Sequence, residues 1–569
     1  MVQIHLCPPK NYFCEALEGV TSLCEPVPYG CAGSNPAILI LSICGGNGRR
    51  AVNSSPSLFS SQFIIEKADL DLLKEVTDMS RLTQLFAIPV QDLKNREGYP
   101  AYKRPLEEQY LQTLLTNTLS NTFYADKNEL FQETVFVHDQ MLQVNSEFVA
   151  KALPFARQKG CMRLQPVFGL TKLAQTHKEL FKEIFPQVIL IPSDLQDFMT
   201  ILEGSGRGQG GRAVKNTIAK WLNQNLSEYW AIKYNGKGRG FSLADIIQTI
   251  HPVPDSEQIG MLFKYLISGE CGFQDGKIYA YEQLKKAETL AEQIHWIREG
   301  QLPHEVVTGV CKMTPELWNA LVPEMPVFAL IRNLNVLDRA GVLDTNRNLI
   351  ERKLTDREVL RKSKILPFRF LNAFNAIEKA WAKDVLRQAV EMTFDGLPEI
   401  PGKTAVFLDI SGSMNGEYLR IGSVFALALF KKTKGNGVFW LFDNAVHDPK
   451  ASLHDSILTQ AERITAQGGT DTGAPVRALR TRVDNIIIIT DEQQNSGSPF
   501  YKELVNYRKK YNANARAFVI DLAPYRSGMV PPADDLSHYI YGWSDPVLQY
   551  ISFATNGYGS MVEAIKKTM

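Results

Sequence analysis

The sequence predicts a chain of several domains, in which an α-helical solenoid of degenerate repeats is followed by a doubly wound α/β domain. Amphipathic segments of helical length follow one another from Tyr99 to about residue 400, and short apolar strands alternate with helical segments after that. At 569 residues the chain is also too long for one ordinary core. Many helices joined by short loops cannot share a single core, whereas stacked helix pairs can.

Residues 401–569 carry the strand-helix alternation of a mostly parallel sheet. The expected strands are Ala405–Ile410, Val438–Phe442, Ile486–Thr490, Ala517–Asp521 and Tyr539–Tyr541. The expected helices are Tyr418–Lys432, Ala474–Arg480, Phe500–Lys510 and Pro546–Phe553. Residues 96–400 form the helical part, because apolar residues recur there at spacings of three and four, as in LEEQYLQTLLTNTLSNTF.

Composition excludes several classes of protein. With 44% hydrophobic and 22% charged residues, the chain has neither a disordered nor a fibrous composition. Lysine plus arginine number 62 against 61 acidic residues, so only local charge can argue for nucleic acid. The longest apolar runs, such as AILILSIC, fall short of the roughly 20 residues that cross a bilayer. No secretory signal opens the chain, so we expect a cytoplasmic protein without membrane contact.

Residues 1–95 are an unassigned N-terminal extension. Five of the eight cysteines fall in its first 44 residues, but no C-x-x-C pair supports zinc and no secreted context supports disulfides. Prolines, glycines and serines interrupt any period, so we expect residues 1 to about 60 to lack a stable fold. Initiation at Met79 would still leave a complete helical part.

Three polar segments follow predicted strands and point to a metal site. DISGSM begins at Asp409, GGTDTG spans Gly468–Gly473, and TDEQ contains Asp491. Both aspartates end buried parallel strands, where open α/β sheets bind ligands. Asp409, Ser411 and Ser413 alternate along one turn and can face one ion. Carboxylate and hydroxyl oxygens suit a hard cation such as Mg²⁺.

Two other interpretations of these segments remain open. In the first, the aspartates cap helices and the serines fill a turn. In the second, Ser411 is a nucleophile, but G-x-S-x-G is absent and His447 and His454 are isolated loop residues. The segments resemble the metal-ion-dependent adhesion site, or MIDAS, of von Willebrand factor A domains. This resemblance implies that Ser411, Ser413 and Thr470 ligate the ion, with Asp409 and Asp491 holding it directly or through water.

A second informative patch lies between Glu203 and Gly240. Its net charge is +5, from Arg207, Arg212, Lys215, Lys220, Lys233, Lys237 and Arg239 against Glu203 and Glu228. The glycines formally satisfy G-x-G-x-x-G, but a predicted helix precedes them, so a dinucleotide-binding fold is disfavoured. A glycine-rich turn opening a helix attracts phosphate, and a nucleic-acid backbone is the plausible anion. The alternative is a solvated basic face.

Motifs in the helical part give the chain a family resemblance. GRAVKNTIAKW, EMPVFALIRNLNVLDRAG and LPFRFLNAF, placed ahead of DISGSM, resemble the Ro autoantigens, the TROVE-domain RNA-binding proteins, and LLTNTLSNTFYADK indicates a bacterial member. The resemblance spans residues 96–569. It implies HEAT-like repeats closed into a monomeric ring by docking on the A domain. It also implies that the basic helix and a nearby histidine contact Y RNA.

The resulting hypothesis is a non-enzymatic RNA-binding protein of RNA quality control and stress survival. Its expected partners are Y-like noncoding RNA, single-stranded ends of misfolded RNA and an exoribonuclease, and its expected cofactor is Mg²⁺. The alternative is a metal-dependent adhesion or assembly scaffold that grips a protein partner through its A domain. The expected RNA-binding residues are Arg207, Arg212, Lys215, Lys220, Lys237 and His251.

Overall fold

A computed structural model provides the structure of the chain. It describes residues 2–4, 41–43, 88–116, 121–207, 210–236, 240–363, 365–395, 399–544, 550–551 and 560–567. The chain divides into two compact units, Met1–Lys74 and Glu75–Met569. In the first, β1 (Val2–Ile4) pairs antiparallel with β2 (Leu41–Ile43). The rest of that unit lies outside the described residues, so the expected lack of a stable fold there stays a prediction.

The second unit begins with a helical array, as the apolar periodicity predicts. Short polar side chains cap the amino-terminal ends of many of its helices. For example, the Ser242 side chain accepts the N–H of Asp245 at the start of α9. The helices are α1 Leu106–Leu115, α2 Lys127–Val144, α3 Ser146–Gln158, α4 Leu164–Thr176, α5 Lys178–Val188, α6 Pro192–Leu202, α7 Gly211–Asn225, α8 Glu228–Tyr234, α9 Leu243–Ile250, α10 Glu257–Ser268, α11 Gly276–Leu284, α12 Leu290–Glu299, α13 His304–Val310, α14 Pro315–Leu321, α15 Val327–Arg339, α16 Arg347–Leu354, α17 Arg357–Ser363, α18 Phe368–Ala376 and α19 Ala380–Thr393.

The carboxyl-terminal part is the expected α/β domain. Its strands are β5 Thr404–Asp409, β6 Gly437–Phe442, β7 Val446–His447, β8 Asn485–Thr490, β9 Arg516–Asp521 and β11 Ser537–Tyr541. They lie in the order β11-β9-β8-β5-β6-β7, parallel except for β7. Every residue of β5 and β8 is buried, which explains their uninterrupted apolar runs. The helices are α20 Glu417–Lys432, α21 Ile457–Ala461, α22 Ala474–Ala478, α23 Phe500–Lys510 and α24 Met561–Lys567.

The five strands predicted from the sequence are confirmed to within two residues at each end. The helix expected at Ala474–Arg480 ends at Ala478, and only residues 550–551 of the helix expected at Pro546–Phe553 are described. Sequence analysis missed β7, α21 and α24. Among the described residues, no helix is long and apolar enough to span a bilayer.

Residues just before the array are joined to the α/β domain by a small sheet. β3 (Leu93–Lys94) pairs antiparallel with β4 (Pro100–Lys103), which in turn pairs with β10 (Ser527–Gly528). The sequence places β3 in the N-terminal extension, because a strand of two residues gives no period to detect.

The helical array starts and ends on the α/β domain. At its start, α1 packs against β11 and α24. At its end, α18 packs against α20 and α19 packs against α21, where Glu391 accepts the backbone N–H of Ile457 and the ammonium of Lys431, both at 2.9 Å. Because both ends rest on one domain, the helical solenoid closes into a ring.

Candidate functional sites

The predicted metal-site residues lie at the carboxyl edge of the central sheet. Asp409 ends β5, Ser411 and Ser413 lie in the turn that follows, and Asp491 directly follows β8. β5 and β8 are parallel neighbours, so their carboxyl ends meet at one edge. Thr470 reaches this edge in the loop between α21 and α22. All five side chains are buried.

Hydrogen bonds orient these groups toward one another. The Asp409 carboxylate accepts the N–H of Ser411 at 2.8 Å and the hydroxyl of Thr490 at 2.6 Å. The hydroxyl oxygens of Ser411 and Ser413 lie 3.3 Å apart. The N–H of Gly412 donates to the carbonyl of Gly468 at 3.1 Å. This bond holds the loop carrying Thr470 against the serine turn.

The electrostatics of the site favour a bound cation. Burial raises the pKa of both Asp409 and Asp491 above the ordinary aspartate value, and the charge of Asp409 raises the pKa of Asp491 further, although a hydrogen bond from Ser413 opposes this. One buried carboxylate oxygen of Asp491, Oδ2, has no hydrogen-bond partner. Two crowded carboxylates with an unsatisfied oxygen and adjacent hydroxyls fit Mg²⁺. No group of three histidine, cysteine or acidic side chains able to hold a metal occurs in the described part of the chain, so binding would depend on the hydroxyls.

The residues that follow Asp491 form hydrogen bonds with the segment just before the helical array. Asn95 Nδ2 donates to the carbonyl of Gln494 at 2.7 Å, and the N–H of Arg96 donates to Gln493 Oε1 at 2.8 Å. The backbone of Glu492 lies in the left-handed region, with a φ of 61°, which residues other than glycine rarely adopt. Its carboxylate forms an ion pair with Arg104. The candidate metal loop is therefore also part of the ring closure.

Arg104 is the centre of this closure and is fully buried. Besides Glu492, its guanidinium pairs with Asp521 at 3.0 Å and donates to the hydroxyl of Tyr541 at 2.8 Å, and its Cζ lies 4.1 Å from the ring centroid of Tyr539. Sequence analysis missed this cluster, which we call the Arg104 cluster. No local signal could find it, since Arg104 lies 388 or more residues before the other members.

The basic patch forms a groove between α5 and α7. This basic groove has a volume of about 600 Å³ and is lined by Arg212 and Lys220 of α7 and by Lys178 and Lys182 of α5. All four cations are exposed, although Lys182 also pairs with Glu179 at 2.8 Å. Sequence analysis did not identify the two α5 lysines, which contribute half of these charges.

The start of α7 faces the same groove. Gly210 and Gly211 both line it, and Gly210 takes the N-cap position with φ of 74°, which favours glycine. No side chain caps this end of the helix. Its first N–H groups and the positive end of the helix dipole are therefore available to an anion.

Other predicted RNA-binding residues lie elsewhere. Lys215 is half-buried and donates to the carbonyl of Thr249 at 3.1 Å, at the end of α9. His251 is exposed and caps the same helix end, with φ of 52°. Arg207 has its backbone in the π-turn Glu203–Arg207, while its side chain and all of Lys237 lie outside the described residues. The structure therefore groups Arg212 with Lys220, and Lys215 with the α9 terminus beside His251.

Comparisons with known proteins agree with this architecture. A family model described as the TROVE domain matches residues 310–467. The RNA-binding protein RO60 of Caenorhabditis elegans is 26% identical over 309 residues, covering 41% of this chain and 48% of that protein. The chain thus spans about half the length of this curated relative. The crystal structure of the Deinococcus radiodurans RO (RSR) protein matches with a TM-score of 0.59 and 18% identity, covering 80% of this chain and 100% of the other. At that identity the likeness concerns the fold.

Proposed function

We propose that this chain is a member of the TROVE-domain Ro family and a non-catalytic RNA-binding protein whose basic groove holds the RNA backbone. The observation that carries the proposal is the convergence of four exposed cations and an uncapped helix start in one groove. Lysine, arginine and free helix N–H groups are the donors that contact phosphate without reading sequence. A relative described as RNA-binding adds support.

The finer function follows the family resemblance. The RNA is Y-like noncoding RNA together with single-stranded ends of misfolded RNA, and the role is RNA quality control under stress in the cytoplasm. An exoribonuclease is the expected protein partner of the monomeric ring. Asp409, Ser411, Ser413, Thr470 and Asp491 would hold Mg²⁺, which would neutralise the two buried carboxylates and stabilise the loop that closes the ring.

The alternative, a metal-dependent adhesion scaffold, has less support. The loop after Asp491 is already engaged by residues 95–104 of the same chain through Glu492, Gln493 and Gln494. These internal contacts favour a structural role for the metal site over capture of an outside protein.

The test is the salt dependence of binding to a labelled RNA hairpin. We expect Arg212→Gln combined with Lys220→Gln to weaken binding and to reduce the slope of log affinity against log salt by roughly one for each phosphate that the variant no longer neutralises. The matched control is Arg298→Gln combined with Lys312→Gln, which removes the same charge from exposed residues outside the groove. Equal weakening in the two double variants, or no binding by the wild type, would contradict the proposal.

A further inference from the structure

A short segment of the helical part lies against the candidate metal site. This cover segment, residues 121–125, directly precedes the N-cap of α2. The backbone N–H of Tyr124 donates to the hydroxyl of Tyr525 at 3.3 Å, and the two rings meet edge to face with their centroids 5.6 Å apart. None of the five residues predicted to hold the ion is more than 5% exposed. The site is therefore covered, and the cover includes residues from outside the α/β domain.

The hydroxyl of Tyr124 reaches the metal-site residues. Burial raises the pKa of this hydroxyl, its hydrogen bond with Glu97 and the charge of Asp491 also raise it, and its hydrogen bond with Ser413 lowers it. An ionised carboxylate can only accept a hydrogen bond, so the Tyr124 hydroxyl donates to Glu97. The lone pairs of the Tyr124 oxygen therefore remain for the side on which Ser413 lies.

Backbone turns hold both Glu97 and Tyr124 in place. Asn95 Oδ1 accepts the N–H of Glu97 at 3.1 Å. In the cover segment, the N–H and the hydroxyl of Thr122 both donate to the carbonyl of Ala125, at 2.9 and 3.0 Å. Among the described residues, Glu97 forms no ion pair with a lysine, arginine or histidine. Its carboxylate is therefore free to orient the Tyr124 hydroxyl.

A small separate core joins the cover segment to the α/β domain. Ala125 and Leu130 pack with Ala523 and Tyr525, apart from the main core, and the ring of Tyr124 packs against this cluster. A region with few buried apolar contacts opens at a lower free energy than the rest of a structure. A cation that binds only when the cover segment is in place would therefore stabilise it.

We propose that the Tyr124 oxygen, oriented by Glu97, completes the candidate metal site, so that one cation is held by both parts of the ring. Mg²⁺ demands octahedral coordination by oxygen. The five side chains predicted from the sequence supply one oxygen-bearing group each, and Tyr124 adds a sixth. The inference rests on the metal site of the proposed function and is independent of RNA binding. An outside carboxylate, which an adhesion site would take, must first displace Tyr124.

The experiment measures the dissociation constant of Mg²⁺ for the full chain by isothermal titration calorimetry. Tyr124→Phe keeps the ring and removes the hydroxyl. We expect this variant to bind Mg²⁺ roughly tenfold or more weakly, the loss typical of removing one group around a metal. The matched control is Tyr279→Phe, at a half-buried tyrosine of α11 whose ring packs on Trp296, and it should bind as the wild type does. Without Mg²⁺, both variants should melt close to the wild type.

A double-mutant cycle tests the role of Glu97. We expect Glu97→Ala to weaken Mg²⁺ binding in the wild type and to have no further effect in Tyr124→Phe, because Glu97 acts through the Tyr124 hydroxyl. Additive losses would overturn this role of Glu97.

The remaining outcomes separate the inference from the proposed function. Equal Mg²⁺ binding by the wild type and Tyr124→Phe would overturn the inference and leave the metal site standing. A wild type that does not bind Mg²⁺ would overturn both, whereas hairpin binding in the basic groove would be unaffected. Sodium acetate tests for an outside carboxylate. The inference predicts that acetate leaves the Mg²⁺ affinity of the wild type unchanged, and acetate that strengthens Mg²⁺ binding would overturn it.

Discussion

The candidate metal site buries its charged side chains, whereas the basic groove exposes them to solvent. The metal site brings two carboxylates together in the protein interior, where desolvation penalises both, and it lies next to the buried Arg104 cluster. The basic groove spreads four cations over a solvent-exposed surface between two helices. Changes at the first region should alter the stability of the folded ring, and changes at the second should alter binding with little effect on stability.

The largest expected effect is on the Arg104 cluster. Arg104→Met keeps most of the volume but leaves Glu492 and Asp521 buried without their cation. Removing one partner of a buried ion pair costs about 3–5 kcal/mol. We therefore expect a clear decrease in unfolding free energy in urea titration followed by circular dichroism.

The matched control is Arg357→Met, which breaks an exposed pair with Asp395. Exposed pairs contribute about 0–1 kcal/mol, so this variant should unfold almost as the wild type does. Equal unfolding midpoints for the two variants would show that the Arg104 cluster does not hold the ring closed.

The second effect concerns pH and metal. The pKa values of Asp409 and Asp491 are raised in the folded protein, so the folded state binds more protons than the unfolded state. Their contribution to stability is present at low pH and is lost as the pH rises from about 4, the ordinary aspartate pKa, into the neutral range. Without metal, Asp491→Asn should therefore gain stability over the wild type as the pH rises.

Added Mg²⁺ should make the wild type more stable than Asp491→Asn. Binding to the folded state alone stabilises by about 2.7 kcal/mol at a concentration one hundred times the dissociation constant. Thermal unfolding at neutral pH should shift upward with Mg²⁺ for the wild type, and not for Asp491→Asn or Asp409→Ala. A wild-type melting temperature that is indifferent to Mg²⁺ would count against the metal site.

The smallest expected effect is a difference between substitutions of Lys215 and of Lys220, two lysines of α7. Lys215 caps the carboxyl end of α9, and such an interaction contributes about 0.3–1 kcal/mol, so Lys215→Met should lower the melting temperature slightly. Lys220→Met should leave the melting temperature unchanged and weaken hairpin binding. A reversed pattern in calorimetry and anisotropy would show that the groove has been assigned to the wrong face of α7.

Local sequence predicted the grouping of the candidate metal-site residues better than that of the groove residues, for a physical reason. Asp409, Ser411 and Ser413 are within five residues, and strand order alone brings Asp491 to the same edge. Lys178 and Lys182 reach Arg212 only through the packing of α5 on α7, which sequence periodicity does not determine. The separation of Lys215 from Arg212 was not accessible from the sequence, since residues three apart are neighbours on a helix. It depends on the bond of Lys215 to the carbonyl of Thr249, which belongs to another helix.

The Arg104 cluster is a second feature that local sequence could not predict. Arg104, Glu492 and Asp521 meet only when the array closes on the α/β domain, and each alone has the appearance of an ordinary surface charge in the sequence. The fold classes of both parts follow from apolar periodicity, whereas contacts between the parts depend on the path of the whole ring.

Ultraviolet crosslinking of the full chain to the RNA hairpin, with peptide mapping by mass spectrometry, tests the central claim most directly. RNA binding in the basic groove predicts crosslinked peptides that contain Lys178–Lys182 or Gly211–Trp221, and their disappearance in the Arg212→Gln and Lys220→Gln double variant. Crosslinks confined to other parts of the chain and unchanged in that variant would contradict the account.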